Sequence, residues 1–236
     1  MFKKTAAWLL MASVFAGLVS CATPVLLQKH IVMGSDQKSY PNSVLTLQTE
    51  TENSVFHLKL FSIKFADCES GYLDYLEFDG IIDSRAVHTF ETALVEAQGC
   101  TTKKGGKLYP FVYLNSSMGE YVDGYALGEL FRRFNIETIV TQGQTCMGAC
   151  AASFLGGRLR SIEENGSLVF GSSRVRGGGM VCDRAIDQAT LREYFDKMLG
   201  SVSSDRFYFN LLSNCLQPSG WIVDAFSAPR WNITNE

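Results

Sequence analysis

Histidine is scarce in this 236-residue chain: there are three, and none lies near a pair of cysteines, so the usual donor set of a zinc site is missing. Basic runs are missing too. With 21 lysines and arginines against 24 acidic residues, the balance argues against a nucleic-acid partner. No internal repeat is visible, and the one long apolar stretch, at the N-terminus, is too short to span a bilayer comfortably. Neither a metal nor a cofactor is expected. What these absences leave is one globular domain with a real core, 46% of its residues being hydrophobic.

The N-terminus reads as a targeting segment. "MFKK" is a basic n-region and "TAAWLLMASVFAGLV" an apolar h-region. The tetrapeptide Leu18-Val19-Ser20-Cys21 then resembles the lipobox of bacterial lipoproteins. That resemblance implies a signal peptide over residues 1–20, cleavage before Cys21, and acylation of Cys21, with palmitate-like chains holding the protein on a membrane. Ala22, in place of an aspartate, implies sorting to the outer membrane and an anchor on its periplasmic face. The alternative is an ordinary secretory signal cut nearby. Removing Lys3 and Lys4 leaves 19 basic against 24 acidic residues, a net charge of −5.

Six further cysteines, Cys68, Cys100, Cys146, Cys150, Cys182 and Cys215, suit an exported chain with up to three disulfides. Cys68 and Cys100 bracket one strand–helix unit and are expected to pair. Cys146 and Cys150 share a face if both are helical, but a bridge within one helical turn is strained, so each is free to pair elsewhere. The connectivity of these four stays open.

Residues 21–43, with Pro24 and Pro41, read as a tether, and 44–236 as the domain. "SVLTLQTE" and "VFHLKLFSIKF" alternate as strands around a turn at "TEN". "YLDYLEFDGIID" is a strand and "SRAVHTFETALVEAQ" a helix. "LYPFVYLNS" is an apolar strand, "YVDGYALGELFRRF" a helix, and "ETIVTQG" a strand. "CMGACAASFLGG" reads as a short helix, "SLVFGSS" as a strand, and "AIDQATLREYFDKMLGSV" and "DRFYFNLLSNCL" as two further helices. Alternating strands and helices imply an α/β fold with a largely parallel sheet.

Four segments resemble the Clp-protease/crotonase superfamily, specifically its exported ClpP-like bacterial branch. "FDGIID" is similar to its first strand, "YLNSSMGEYVDGYALGELFRR" to its "LNSPGG…G…LG…R" element, "CMGACAASFLGGRLR" to "CxSACxxxFLxGxxR", and "GSLVFGSS" to "xxLGFHxx". The resemblance covers about residues 75–175 and implies a spiral of ββα units that commonly assembles into homo-oligomers. It also implies where a serine-peptidase site would sit. The nucleophile falls on Gly148 and the general base on Gly171, so neither reacting group is present. The two backbone donors of an oxyanion hole fall on Gly119 and Ala149, with Ser117 and Met118 replacing the proline and first glycine before them. The acidic member of the triad does not carry over; Asp183, Asp187 and Asp205 are candidates by location only.

A serine peptidase needs an attacking oxygen and an oriented base beside it, and glycine supplies neither. The expectation is therefore a non-catalytic binding or assembly module with an unknown protein or peptide partner. The alternative is an active hydrolase with a relocated nucleophile such as Cys146, whose thiol would start the same helix. Ser172 and Ser173 flank the lost base but read as turn residues. His30, His57 and His88 read as surface or packing histidines. Tyr121, Tyr125, Phe131 and Phe134 recur at helical spacing and read as core first, ligand stripe second.

Overall fold

The computed structural model describes residues 28–32, 42–51, 54–171, 188–214 and 219–235. Cys21, Cys182, Cys215, Ser172, Ser173, Asp183 and Asp187 lie outside the described residues. The chain begins with four antiparallel strands: β1 (Gln28–Val32), β2 (Asn42–Thr51), β3 (Ser54–Lys64) and β4 (Tyr72–Ile82). β1 falls within the stretch read as a tether, where it pairs with β2.

Helix α1 (Ser84–Glu96) starts where the Asp83 carboxylate accepts from the N–H groups of Arg85 and Ala86, satisfying two of the free donors of the first turn. A short hairpin, β5 (Cys100–Thr101) with β6 (Lys107–Leu108), leads to β7 (Phe111–Gly119). The expected single strand over 108–116 is split at Pro110, which has no N–H to donate to a ladder. Then come α2 (Tyr121–Arg133), β8 (Glu137–Val140), β9 (Thr145–Met147), α3 (Ala149–Phe154), β10 (Arg160–Ile162) and β11 (Ser167–Phe170). Helices α4 (Gln188–Leu199) and α5 (Ser201–Asn214), strand β12 (Trp221–Asp224) and a 3-10 turn at Ala228–Trp231 complete the described elements.

The fold is α/β, and the centre of its sheet is parallel: β4 with β7, β7 with β8 and β9, β8 with β10, and β9 with β11. The N-terminal meander and β12 add antiparallel strands at the two ends. Strand β7 forks. Its first half, Phe111–Tyr113, pairs with Glu137–Ile139 of β8, while Ser116 pairs with Cys146 of β9.

Alternation along the strands decides which face the helices cover. Phe56, Leu58, Leu76, Phe78, Val112 and Leu114 are buried and meet Phe90 of α1 and Leu127 and Phe131 of α2 in one core. Phe90 and Phe131 cross edge to face at 5.3 Å. On the opposite face Phe61, Tyr75 and Phe111 stack across three strands, at 4.8 Å and 5.1 Å between ring centres. Helix α5 divides its apolar residues: Phe207 and Leu211 are buried, whereas Phe209 and Leu212 face solvent.

Candidate functional site

The residues read as a former catalytic centre meet where β7, β9 and β11 end. Strand β9 stops at Met147 and α3 begins at Ala149, so the reversal is made by Gly148 alone, with φ 60° and ψ −111°. That region is open to glycine and strained for any residue with a Cβ. A strand running through one sharp turn residue into a helix has the form of a nucleophile elbow, which aims the turn residue's side chain out at the sheet's end. Here the turn residue has no side chain to aim. The Gly148 N–H donates to the Val169 carbonyl at 2.9 Å, fastening the turn to β11, and its own carbonyl accepts from Ala152.

Neighbouring glycines let three segments close on this turn. A Cβ at Gly119 would stand 2.9 Å from the Cβ of Ala149 and 2.5 Å from the Ile82 carbonyl oxygen. Gly119 and Ala149, whose N–H groups are the two retained backbone candidates, are therefore adjacent. A Cβ at Gly124 would lie 2.4 Å from the Ala149 carbonyl, so α2 crosses the start of α3 at backbone contact.

Gly171 follows the last residue of β11, and its N–H donates to the Tyr121 hydroxyl at 2.9 Å. A buried phenol thus stands beside the residue to which the sequence resemblance assigns the general base. Sequence spacing placed Tyr121 in a packing stripe but carried no sign of this contact, because it joins residues fifty apart. The rest of the stripe packs as the default reading had it: Tyr125 lies against Tyr194 at 4.6 Å, and Phe131 is fully buried.

The rim is acidic. The Asp123 carboxyl is pushed above its ordinary range first by burial, then by Asp83 and Glu120. Asp83 is itself occupied, accepting from the N–H groups of Arg85 and Ala86 and pairing with the Arg85 guanidinium.

Cysteine pairing corrects the helical reading of 146–157. Cys146 belongs to strand β9, not to a helix, and the turn at Gly148 brings it against Cys150 with Cα atoms 5.1 Å apart and the two bonded. The objection to a one-turn helical bridge does not apply, because only one partner is helical. Both residues are fully buried, and in the disulfide Cys146 offers no thiolate. Cys68 pairs with Cys100 as expected, Cα atoms 5.6 Å apart. Of the other candidates, His88 is exposed on α1 and Asp205 is exposed in an ion pair with Arg192. Among the described residues no three His, Cys, Asp or Glu side chains group as a metal site, and no helix is long and apolar enough to cross a membrane.

No family model matches the chain, and no curated protein matches it by sequence. Solved structures do resemble it. A 1510-N membrane-bound stomatin-specific protease aligns over 67% of this chain and 75% of its own, with 13% identity and a TM-score of 0.47. The ClpP protease catalytic domain from Plasmodium falciparum covers 69% and 82%, with 14% identity and a TM-score of 0.46. ClpP1 from Listeria monocytogenes covers 66% and 85%, with 11% identity and a TM-score of 0.47. These are likenesses in the course of the backbone and say nothing of chemistry.

Proposed function

We propose that this chain is a degenerate relative of the Clp-protease/crotonase superfamily, used as a binding or assembly module and held at the cell envelope through acylated Cys21. The observation that carries this reading is Gly148: a strand–turn–helix elbow whose turn residue has no reacting atom. Gly171 supports it, since it bears no base and its N–H is engaged by Tyr121. What remains is a pair of adjacent backbone segments at Gly119 and Ala149 within an acidic rim. They fit the neutral main-chain carbonyl of a peptide, bound without being cleaved.

Treating the full chain, extracted from membranes, with a fluorophosphonate probe tests the catalytic half of this reading. No stoichiometric adduct is expected, by intact mass; one adduct per chain ends the proposal. The same spectrum reports acylation at Cys21, and its absence removes the anchor. Gly148→Ser is expected to lower stability by about 1–3 kcal/mol because of the positive φ, and to remain unlabelled for want of a base. The relocated-nucleophile route needs a free Cys146 thiol. Thiol mapping of the exported protein should find Cys146 unreactive until a reductant is added, and a reactive Cys146 would reopen that route.

A further inference from the structure

Charge in this molecule is sorted along the direction of the parallel strands. Asp79, Glu120, Asp123, Glu163 and Glu164 lie at or beyond the ends of β4, β7 and β10, the end that holds the Gly148 turn. At the other end, where those strands begin, the β5–β6 hairpin forms a finger. It carries Lys103, Lys104 and Lys107 within five residues, all exposed. The finger is held rigid by the facing loop, residues 65–71. Cys68 is bonded to Cys100, the Glu69 N–H donates to the Thr101 carbonyl at 2.8 Å, and the Lys103 N–H donates to the Asp67 carbonyl at 2.8 Å. At the tip, the Gly106 N–H donates to the Thr102 hydroxyl at 2.9 Å.

Beside the finger, exposed Lys64 stands across from Tyr72 in the strand register, and Tyr72 and Phe65 are both exposed. Arg158 lies over the ring of Tyr109, just past β6. Asp67, Glu69 and Glu96 are the exposed acids on the segments that form and flank the finger, fewer than its cations. No run in the sequence announces this cluster, because the fold brings Lys64 and Arg158 to the hairpin.

We propose that the finger rests on a bilayer bearing anionic phospholipid, so that the Gly148 end faces away from the membrane holding Cys21. The proposal rests on acylation of Cys21, part of the reading above. Seven residue steps separate Cys21 from Gln28, at most about 25 Å. Gln28 is level with Lys59 through Thr46, about 17 Å short of Lys64 along the strands. That reach lets the acyl chains and the finger share one surface, and it equally lets the acidic end do so. Charge chooses between them. Strand β4, from Tyr72 to Ile82, sets the two ends about 33 Å apart, several times the Debye length of about 8 Å at physiological salt. An anionic surface therefore meets each end separately, attracting the lysines and repelling the carboxylates. Phe65 and Tyr72 favour a bilayer over a soluble polyanion, since aromatic rings settle at headgroup depth. With an acyl anchor in place the docking is intramolecular, so a few lysines suffice, each adding about a fivefold preference. A partner of the Gly148 end is then met on the side away from that membrane.

The test uses the full chain extracted from membranes, its acylation read by intact mass. The chain is added to vesicles of phosphatidylcholine, with or without phosphatidylglycerol, and its lysines are acetylated and mapped by peptide mass. On the anionic vesicles Lys103, Lys104 and Lys107 should label about fivefold more slowly, with Lys197 on α4 unchanged. High salt should erase the difference. Lys103→Gln combined with Lys104→Gln should return Lys107 to its rate on neutral vesicles; the salt comparison needs no variant. Equal labelling of the finger on both vesicles, by a chain whose mass shows the acyl groups, overturns the inference and leaves the anchor standing. Protection by dextran sulfate but not by anionic vesicles overturns it in favour of a soluble polyanion. If the acyl mass is missing, the finger must still float the chain with anionic vesicles at low salt; floating with neither kind overturns both readings.

Discussion

Arg160 takes a guanidinium to a place where only 2% of the residue meets solvent, and its partners there are main-chain carbonyls: Leu155 and Gly157 at the end of α3, Asn232 and Ile233 near the C-terminus. Burial, then the nearby Arg132, holds its pKa down at about 10, so it remains a cation at neutral pH. It is the arginine that closes the "FLGGRLR" motif, and its work is structural: it gathers carbonyls that α3 cannot satisfy and pins the C-terminal segment to them. Arg160→Met is expected to destabilise the protein by about 3 kcal/mol or more, since several buried acceptors lose a charged donor at once. Urea unfolding measures this, and a loss within error of zero would refute the clamp. From sequence, Arg160 was legible as a motif position. Its partners were not, because two of them lie more than seventy residues away.

Among the elements, β9 and α3 depend on the closeness that glycine allows and on the disulfide spanning their turn. Closing a loop by a disulfide restricts the unfolded chain more as the loop lengthens. The Cys68–Cys100 bridge spans 32 residues and Cys146–Cys150 only 4. Replacing the first pair by serine should cost about 3–4 kcal/mol by that measure, against about 2 kcal/mol for the second, with burial of the new hydroxyls adding to both. Thermal melts of the two double variants decide the order; a larger effect from the short loop would mean that packing at Gly148 dominates over chain entropy. Element types and approximate limits were readable from periodicity for β2, β3, β4, α1 and α2, but the short β5–β6 hairpin was not read at all. The misreading of Cys146 as helical came from a run of small residues that suits either state, with its boundary set by a single glycine.

For the whole molecule the telling groups are tyrosines. The Tyr75 phenol is pushed up to about 12, by burial first and then by Glu77 and Tyr113. Burial also pushes up Tyr125 and Tyr194, the latter donating to the Ala152 carbonyl at 2.6 Å. Tyrosines in the unfolded chain ionise near 10. A folded-state pKa raised above that value means the native form holds its proton longer. The associated stability is complete below pH 10 and is lost as pH rises from 10 through about 12. The midpoint of urea unfolding should therefore fall steeply above pH 10, and Tyr194→Phe should flatten the fall. A midpoint indifferent to pH across that window would contradict the burial of these rings.

Local pattern, by itself, determined the α/β class, the longer strands and helices of the domain's first half, the Cys68–Cys100 pairing, and the bareness of positions 148 and 171. Each of these follows from side-chain period or residue type, which the chain carries wherever it lies in space. Only the tertiary structure decided that Cys146 bonds Cys150, that a tyrosine hydroxyl meets Gly171, and that Arg160 holds the C-terminus. The same is true of the fork where β7 divides between β8 and β9. Those contacts depend on how strands distant in sequence come into register, and register is a property of the assembled sheet.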